Sequence, residues 1–346
     1  MEKPSKLILL LFIPLLAIST IALFLVRDIP FINMRPDQDE WAIGIAELYY
    51  QNDKLEITFP KSVKNPVFTS AQVSGLRAYF VADPFLIHDN NLYYLFFETM
   101  SDRKGNIAVA VSSDARHWQY KGVALNEPFH LSYPHILQLN GSFYMTPESS
   151  TTNSIRLYIS KRFPFDWLYL KDIVVGKPFV DPTLFYHNGN FYLFASDISN
   201  SNLYLYVAKQ LEGHWIEHPK SPLIQNDKTR SRPAGNILEV GNKLIRPTQD
   251  DTPYYGKRIK LFEITKLTPE DYQEKEIDYS SLLSNSGKGW DKDGKHNISA
   301  VQTNKNKWLC AIDGKRNINN IVYIGNLRLR LPTKFINIFL HLRRHK

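Results

Sequence analysis

A repeat of about 50 residues runs through the chain and restricts its fold more than any other feature. Each copy has the pattern of a hairpin: an apolar run, a polar or glycine-rich turn, and a returning apolar-aromatic run. Successive copies are offset by 50, 48, 51 and 64 residues, so the last interval contains an insertion. The five hairpins are ADPFLIHDNNLYYLFFE (82–98), SYPHILQLNGSFYMTPES (132–149), VDPTLFYHNGNFYLFAS (180–196), SRPAGNILEVGNKLIRPTQD (231–250) and HNISAVQTNKNKWLCAID (296–313).

Further strand-like runs follow each of the first four hairpins, such as IAVAVSSDARHW after the first and IRLYISKRFPFDW after the second. A unit of about four strands repeated at this period is typical of a propeller blade. We therefore predict an all-β, five-bladed β-propeller over residues 37–330. Strands around residues 40–48 and 54–59 should complete the fifth blade and close the ring. The alternative is a β-sandwich with coincidental spacing, which the repeated turn and aromatic positions disfavour.

The N-terminal segment, residues 1–36, is predicted to hold a cytoplasmic start, one transmembrane helix and a linker. Residues 7–26 form an uncharged run of 20 residues, which is enough to cross a bilayer core. Lys3 and Lys6 precede this run, so its start should remain in the cytoplasm and the propeller should lie on the extracytoplasmic side. The alternative is a cleaved signal peptide, although no small-x-small cleavage site stands before Arg27.

Charge is concentrated at the other end of the chain. The formal net charge is +8, and half of this excess lies in residues 331–346. We interpret that segment as a basic amphipathic tail, either solvated or lying on an anionic membrane surface. The rest of the chain is only mildly basic and has no nucleic-acid-binding motif, so we expect no nucleic-acid partner. Cys310 is the only cysteine, which excludes an internal disulfide.

Two rings of side chains are predicted at one mouth of the propeller. The first ring comes from the start of the innermost strand of each blade, and its members are Asp83, Tyr133, Asp181, Arg232 and His296. A hairpin returns the chain to the end where it began, so a second ring should lie beside the first. Its expected members are Glu98, Glu148, Asp197, Asp250 and Asp313. Acids also end strands because they cap turns, and for Asp197, Asp250 and Asp313 this structural role is the stronger alternative.

Carboxylates beside an arginine and a histidine are suited to general acid–base work on a polyol. Among nearby aromatics, Tyr133, Phe129 and Trp167 could stack on sugar faces or pack between blades. His130 and Arg156 are further candidates for substrate binding, with a structural role equally open for each. The sequence contains no phosphate-binding glycine loop, zinc-ligand spacing or nucleophile elbow, so we predict no cofactor and no metal motif.

Several of these strings resemble known carbohydrate-active propellers. ADP in blade one, SYPH in blade two, VDPTLFYHNGNFYLF in blade three and KHNIS in blade five resemble glycoside hydrolase family 43. A closer resemblance is to the N-terminal portion of the plant glucosamine inositolphosphorylceramide transferases and to its stand-alone bacterial counterparts. It is carried by ADPFLI, FHLSYPHI, YMTPES, RLYISKRFPFDW, VDPTLF, SRPAGNI and RPTQDDTPYYG, over about residues 75–262.

The family 43 resemblance implies that Asp83 is the general base and that Asp181 orients the site and tunes the acid. It also implies a general acid, a glutamate, just before the proline of blade four. Ser231 and Arg232 stand at that place instead. Inverting hydrolysis needs two carboxyl groups that flank the bond, so hydrolysis would require Glu98 or Glu148 as the acid.

Arg232 also changes the expected electrostatics. A guanidinium near Asp83 and Asp181 should keep both ionised, and it suits a ligand bearing a phosphate or carboxylate. Three hypotheses follow for a cell-surface glycan or glycolipid ligand. The chain is a glycosidase-like enzyme that uses Asp83, Asp181 and one of Glu98 or Glu148, a catalytically silent sugar-binding module for a partner glycosyltransferase, or a scaffold with a vestigial mouth.

Overall fold

The computed structural model describes residues 32–101, 104–277, 283–324 and 327–330. The apolar run at residues 7–26 and the basic segment at 331–346 lie outside the described residues. Among the described residues, no helix has the length and apolar character needed to cross a membrane.

Every long element among the described residues is a strand. In chain order the strands are β1 (Ile32–Gln51), β2 (Lys54–Thr58), β3 (Phe80–Asp89), β4 (Leu92–Met100), β5 (Gly105–Ser112), β6 (Gln119–Leu125), β7 (Ser132–Leu139), β8 (Ser142–Glu148), β9 (Ser154–Arg162), β10 (Phe165–Val175), β11 (Phe179–His187), β12 (Asn190–Asp197), β13 (Leu203–Ala208), β14 (Ile216–Glu217), β15 (Leu238–Val240), β16 (Lys243–Asp250), β17 (Arg258–Leu267), β18 (Tyr272–Glu276), β19 (Ile298–Asn304), β20 (Lys307–Ile324) and β21 (Leu327–Arg330).

These strands form five antiparallel sheets, which are the five predicted blades. Blades one to four are built from β3–β6, β7–β10, β11–β14 and β15–β18, each four strands in sequence order. The fifth sheet has the order β19–β20–β1–β2, so strands from both ends of the described chain share it. The prediction that N-terminal strands complete the fifth blade is therefore confirmed.

The chain divides into two compact units. Residues 40–316 form the larger unit, which contains the blades. The smaller unit comprises residues 1–39 and 317–346, of which the structure describes the start of β1, the end of β20 and β21. Within it, β20 and β21 pair antiparallel from Ile321 opposite Arg330 to Ile324 opposite Leu327.

Five hydrophobic clusters hold the larger unit together, one at each interface between neighbouring blades. The alternation of side chains along a strand explains this arrangement. On β5, Ile107 and Val109 pack towards blade two, whereas Ala108 and Ala110 pack towards blade five. Both faces of a blade are thus buried, which is why the middle strands are almost continuously apolar.

Candidate functional site

Three blades start their innermost strand with the same unusual backbone conformation. Asp83, Tyr133 and Asp181 have φ angles of 51°, 44° and 51°. A residue with a Cβ rarely adopts this left-handed region, which costs about 1–3 kcal/mol. The strand pairing shifts at each of the three sites, as in a β-bulge that re-aims a side chain. These residues lie on β3, β7 and β11, and β7 packs against both of the other strands.

The remaining two members of the first ring lie just outside strands. Arg232 precedes β15, in a segment that bridges to β16 through Pro233 and Thr248. His296 stands two residues before β19. Both side chains nevertheless contact aspartates of the first ring. The five predicted residues are therefore linked in one cluster, which we call the mouth.

The second ring follows the strand register, and the prediction is off by one residue in blade three. Glu98 pairs with Ala82, and Glu148 pairs with Ser132. The matching pair in blade three is Val180 with Ser196. Asp197 instead accepts hydrogen bonds from Ser199 and Asn202 within its own turn. A shift of one residue turns a side chain to the other face, so Asp197 caps a turn and does not join Asp181.

Blade four shows the same displacement. Gln249, which the sequence analysis did not select, donates its Nε2–H to Asp181 Oδ2 at 2.7 Å. Asp250, predicted as a member of the second ring, pairs with Arg258 at 2.7 Å. The strand register that places Glu98 and Glu148 opposite their partners selects Gln249 in blade four. The prediction selects Asp250 because it is the acidic residue of the pair.

His296 lies between two carboxyl groups at the centre of the mouth. Its Nε2 is 3.4 Å from Asp83 Oδ1, and its Nδ1 is 2.5 Å from Asp313 Oδ2. The ring stacks on Trp41 with centroids 3.9 Å apart. Burial opposes charging of the imidazole, but Asp313 and Asp83 outweigh it and raise the pKa of His296. Burial raises the pKa of Asp83 to about 7, against the opposing charge of His296.

Asp83, His296 and Asp313 also present ligand atoms within 4.8 Å of one another, as a metal site would. All three side chains are buried, and the imidazole already lies against both carboxyl groups. A metal would have to replace the contacts between the imidazole and these two carboxyl groups. Although burial opposes it, Asp313 and Asp83 raise the pKa of His296, which favours the charged imidazole between them.

Arg232 is engaged by side chains that surround it. Its Nε and Nη2 donate to the two oxygens of Asp181 at 2.6 and 3.2 Å, and its Nη1 donates to Asn200 at 3.0 Å. Nη2 also lies 3.7 Å from Glu148. With 13% of the side chain exposed, the guanidinium is neutralised within the protein. This geometry opposes the expected role of Arg232 as a site for an anionic ligand group.

The expectation that Arg232 keeps both aspartates ionised is also only partly met. Burial raises the pKa of Asp181, and the nearby guanidinium opposes this without cancelling it. The same balance holds for Asp83, whose pKa is raised despite the cations around it. Desolvation of a deeply buried carboxyl group outweighs the charge attraction here.

Tyr133, predicted to bind substrate, is fully buried and acts as a tie between blades. Its hydroxyl accepts the N–H of Gly235 at 2.7 Å and lies 2.8 Å from Thr183 Oγ1. Its backbone N–H donates to Asp83 Oδ2 at 3.1 Å. Tyr133 therefore connects blades one, two, three and four, and it does not offer a surface to a ligand.

Glu98 and His130 lie together at the edge of the mouth. The N–H of Gly105 donates to His130 Nδ1 at 3.0 Å, which leaves Nε2 to carry the proton of the neutral ring. That Nε2 lies 3.6 Å from Glu98 Oε1. Burial raises the pKa of Glu98 well above its usual range, and Asp83 and Glu148 act in the same direction.

Arg156, Phe129 and Trp167 do not belong to this cluster. Arg156 lies on β9, 3.6 Å from Asp172 and over the ring of Phe129, with its Cζ 4.8 Å from the ring centroid. Trp167 packs in the core between blades one and two. These contacts favour the structural role that the sequence analysis left open for all three.

An aromatic rim that the sequence analysis missed stands over His296. Tyr255 meets the His296 ring edge-on at 5.3 Å and lies 5.1 Å from the Arg232 guanidinium carbon. Tyr254 and Tyr255 are 41% and 39% exposed. Both tyrosines lie in the string TPYYG, in the loop between β16 and β17. The mouth thus combines buried acids with the exposed ring of Tyr255.

Comparison with known proteins relates residues 45–315 to the family described as glucosamine inositolphosphorylceramide transferase 1, N-terminal. A protein of that name from Oryza sativa subsp. indica is 33% identical over 319 residues, which cover 85% of this chain and 42% of the rice protein. The Arabidopsis thaliana protein is 35% identical over 267 residues, which cover 73% of this chain and 35% of the relative. The chain thus spans less than half the length of these relatives.

Among solved structures, a thermostable family-43 glycoside hydrolase has a similar fold. The TM-score is 0.53 at 17% identity, and the alignment covers 78% of this chain and 98% of the hydrolase. At this level of identity the likeness concerns the fold alone.

Proposed function

Because the chain belongs to the glucosamine inositolphosphorylceramide transferase 1, N-terminal, family, we propose that its mouth binds a carbohydrate in support of glycan or glycolipid synthesis. The resemblance read from the sequence is thereby confirmed. The relatives are named as transferases, and the chain matches only part of their length. A glycosyltransferase that works with this propeller is part of the proposal.

The position of Arg232 is the observation that supports sugar binding over sugar hydrolysis. The family 43 resemblance implies a general acid at this point of blade four, and the structure has a guanidinium there, bound to Asp181. An inverting hydrolase needs one protonated and one ionised carboxyl group on opposite sides of the bond. Arg232 can neither donate a proton at neutral pH nor leave Asp181 free to contact a ligand.

The surroundings of the cluster suit a sugar. Binding sites for small polar molecules pair aromatic side chains with a few fixed polar groups. Tyr255 supplies an exposed ring beside His296 and Arg232, in the cluster where Asp83, Glu98 and Glu148 lie buried. Carboxyl groups accept hydrogen bonds from sugar hydroxyls, and the tyrosine ring offers flat apolar surface.

Hydrolysis is the second candidate, and one observation favours it. Glu98 is a buried carboxyl group whose pKa is raised well above its usual range, as a general acid requires. Asp83 would then be the base. Both groups come from one hairpin, since Glu98 pairs with the neighbour of Asp83, whereas an inverting hydrolase needs its two carboxyl groups on opposite sides of the bond.

The two candidates separate in one experiment on the full chain. A panel of methyl glycosides is titrated by calorimetry, and the same mixtures are assayed for released sugar. We expect binding of at least one glycoside without turnover, and about tenfold weaker binding in Asp83→Asn, which alters one charged hydrogen-bonding group. Asp89→Asn, at the opposite end of the same strand, should bind like the wild type.

Turnover by the wild type that disappears in Asp83→Asn would make the chain an enzyme. Failure of every glycoside to bind would refute the proposed function. Equal weakening by Asp83→Asn and Asp89→Asn would show that the mouth is not the binding site.

We also propose that residues 7–26 anchor the propeller to a membrane, with the blades on the extracytoplasmic side. The support is the uncharged run of 20 residues and its flank of Lys3 and Lys6. After alkaline carbonate washing of membranes, the chain should stay in the pellet, and a periplasmic-type reporter fused after Lys346 should be active. Release by the wash would refute the anchor, and a reporter active only in the cytoplasm would refute the orientation.

A further inference from the structure

A groove lies between blades one and two, at the strand ends farthest from the mouth. It encloses about 490 Å³, which is within the usual range for small-molecule sites. Leu92 lines the groove at the start of β4, whereas Glu98 of the mouth lies six residues further along the same strand. A strand rises about 3.3 Å per residue, so roughly 20 Å separates the two places. The groove is therefore a surface distinct from the mouth.

One wall of the groove is a row of side chains across three strands of blade one. Tyr94 on β4 pairs with Val111 on β5, and Val111 pairs with Gln119 on β6. Residues that pair directly across strands are side-chain neighbours on one face of the sheet. Lys121 also lines the groove and donates to the Gln119 side-chain oxygen at 2.8 Å. This wall thus combines an aromatic ring with an amide whose N–H groups remain available to a ligand.

The other wall is the turn between β9 and β10 of blade two, which contributes Pro164 and Phe165. The Trp167 indole N–H donates to the carbonyl oxygen of Pro164 at 2.9 Å and fixes the turn. The neighbouring Phe163 meets the Tyr94 ring edge-on, with centroids 4.7 Å apart, and so connects the two walls. Because both walls are held by packed aromatic side chains, a ligand would find the groove already formed.

The opening beside Tyr94 is not a general consequence of the propeller fold. Tyr94 stands four residues before Glu98, and Tyr192 stands four residues before Ser196, which has the same place in the register of blade three. Tyr192 is fully buried, whereas Tyr94 is half-buried and lines the groove. The same residue type at the same strand position is thus covered in blade three and accessible in blade one.

The rim of the groove carries an imidazole in a fixed orientation. Asp114 accepts the backbone N–H groups of Arg116 and His117, each at 2.9 Å. Its second oxygen lies 2.7 Å from His117 Nδ1, which leaves Nε2 for another partner. The Ser113 hydroxyl lies on the same rim. The rim therefore offers hydrogen-bonding groups that both donate and accept.

We propose that this groove is a second carbohydrate site and that it binds a neutral oligosaccharide. The flat apolar face of a sugar suits the rings of Tyr94 and Phe165, and its hydroxyls suit the mixed donors and acceptors of Gln119, Ser113 and His117. No carboxyl group lines the groove, and its one ammonium group already donates to Gln119. The inference goes beyond the proposed function, because it concerns a surface away from the mouth. A glycan held there would raise the effective concentration of its other residues near the protein.

The test is calorimetry on the full chain with maltotetraose, cellotetraose and xylotetraose, and with tetragalacturonate as an acidic probe. We expect at least one neutral tetrasaccharide to bind. The double variant His117→Ala/Gln119→Ala should weaken this binding about tenfold, because it removes two hydrogen-bonding groups from the groove. Both side chains are exposed, so the fold should persist. The matched control Gln138→Ala/His214→Ala changes the same residue types at exposed positions outside the groove and should bind like the wild type.

Each outcome decides the inference separately from the function of the mouth. Asp83→Asn, which alters the mouth, should keep the tetrasaccharide affinity within threefold. Weakening by Asp83→Asn and not by the groove variant would place the tetrasaccharide in the mouth and overturn the second site. Binding of tetragalacturonate alone would overturn the neutral ligand class and indicate an anion site at Lys121. Failure of all four probes to bind, or equal weakening by the groove variant and its matched control, would refute the site, whatever the methyl glycosides do at the mouth.

Discussion

Gly235→Ala is expected to lower the free energy of unfolding by about 3–5 kcal/mol, which approaches loss of the fold. Gly235 has a φ of 129°, and a Cβ added there would lie 1.7 Å from the carbonyl oxygen of Ile298. That atom belongs to the backbone of blade five and cannot swing aside. Any shift would also break the 2.7 Å hydrogen bond from the Gly235 N–H to the Tyr133 hydroxyl. Urea denaturation followed by fluorescence measures the change.

Gly122→Ala is the matched control. Gly122 has nearly the same φ, 131°, but a Cβ there would meet nothing within 4 Å. Its loss of stability should therefore reflect backbone strain alone, about 1–2 kcal/mol. The difference between the two variants isolates the close approach of blades four and five. Equal losses would contradict the proposed contact.

The five blades could be predicted from the sequence because the repeating apolar pattern follows from the burial of both faces of each blade. Both faces of each blade are covered, so apolar runs, turns and closing aromatics recur at a nearly constant period. Closure of the propeller could also be predicted. The fifth repeat has too few strands for a blade, and the sequence before residue 60 contains two strand-like segments that can complete it. The number of blades and the closure of the propeller can both be predicted without knowing any side-chain contact.

The register at the strand ends was harder to predict. Asp197 and Asp250 were aligned with Glu98 and Glu148 because they are acids, whereas the pairing puts Ser196 opposite Val180 and Gln249 beside Arg232. One residue decides which face a side chain occupies. The acidic character of a residue therefore predicts poorly which side chain of the returning strand faces the mouth, whereas the register of the hairpin predicts it well.

Two residues of the mouth lie outside the repeated hairpins, so the repeat does not predict their position. Trp41 stacks on His296 from β1, a strand outside the five aligned hairpins. Tyr255 contacts the same ring from the loop between β16 and β17, which is longer than the corresponding loops of blades one to three. Contacts of this kind join segments more than 200 residues apart in one case and 41 in the other, and a local pattern does not encode them.

Asp181→Asn is the second change with a large expected effect, a loss of about 3–5 kcal/mol of stability. The variant leaves the Arg232 guanidinium buried and without its two shortest ionic contacts. An arginine cannot shed its proton to escape this state, so the loss should persist from pH 5 to pH 8. Chemical denaturation at several pH values provides the measurement.

Removing the other partner should behave differently, because a carboxyl group can bind a proton. In Arg232→Gln, Asp181 loses the charge that opposes the rise of its pKa, so its pKa should rise further. A folded-state pKa above the unfolded value makes stability fall as pH rises between the two values. The cost of Arg232→Gln should therefore be small near pH 4 and grow towards neutral pH. A pH-independent cost would contradict this assignment.

The double variant Asp181→Asn/Arg232→Gln connects this ion pair to function. Because neither charge is then left alone, it should lose less stability than the two single variants added together. If the pair only shapes the floor of the mouth, the double variant should also retain sugar binding within about threefold, or about 0.7 kcal/mol. Loss of sugar binding in a double variant that remains folded would instead mean that Arg232 or Asp181 contacts the ligand, against the burial of both side chains.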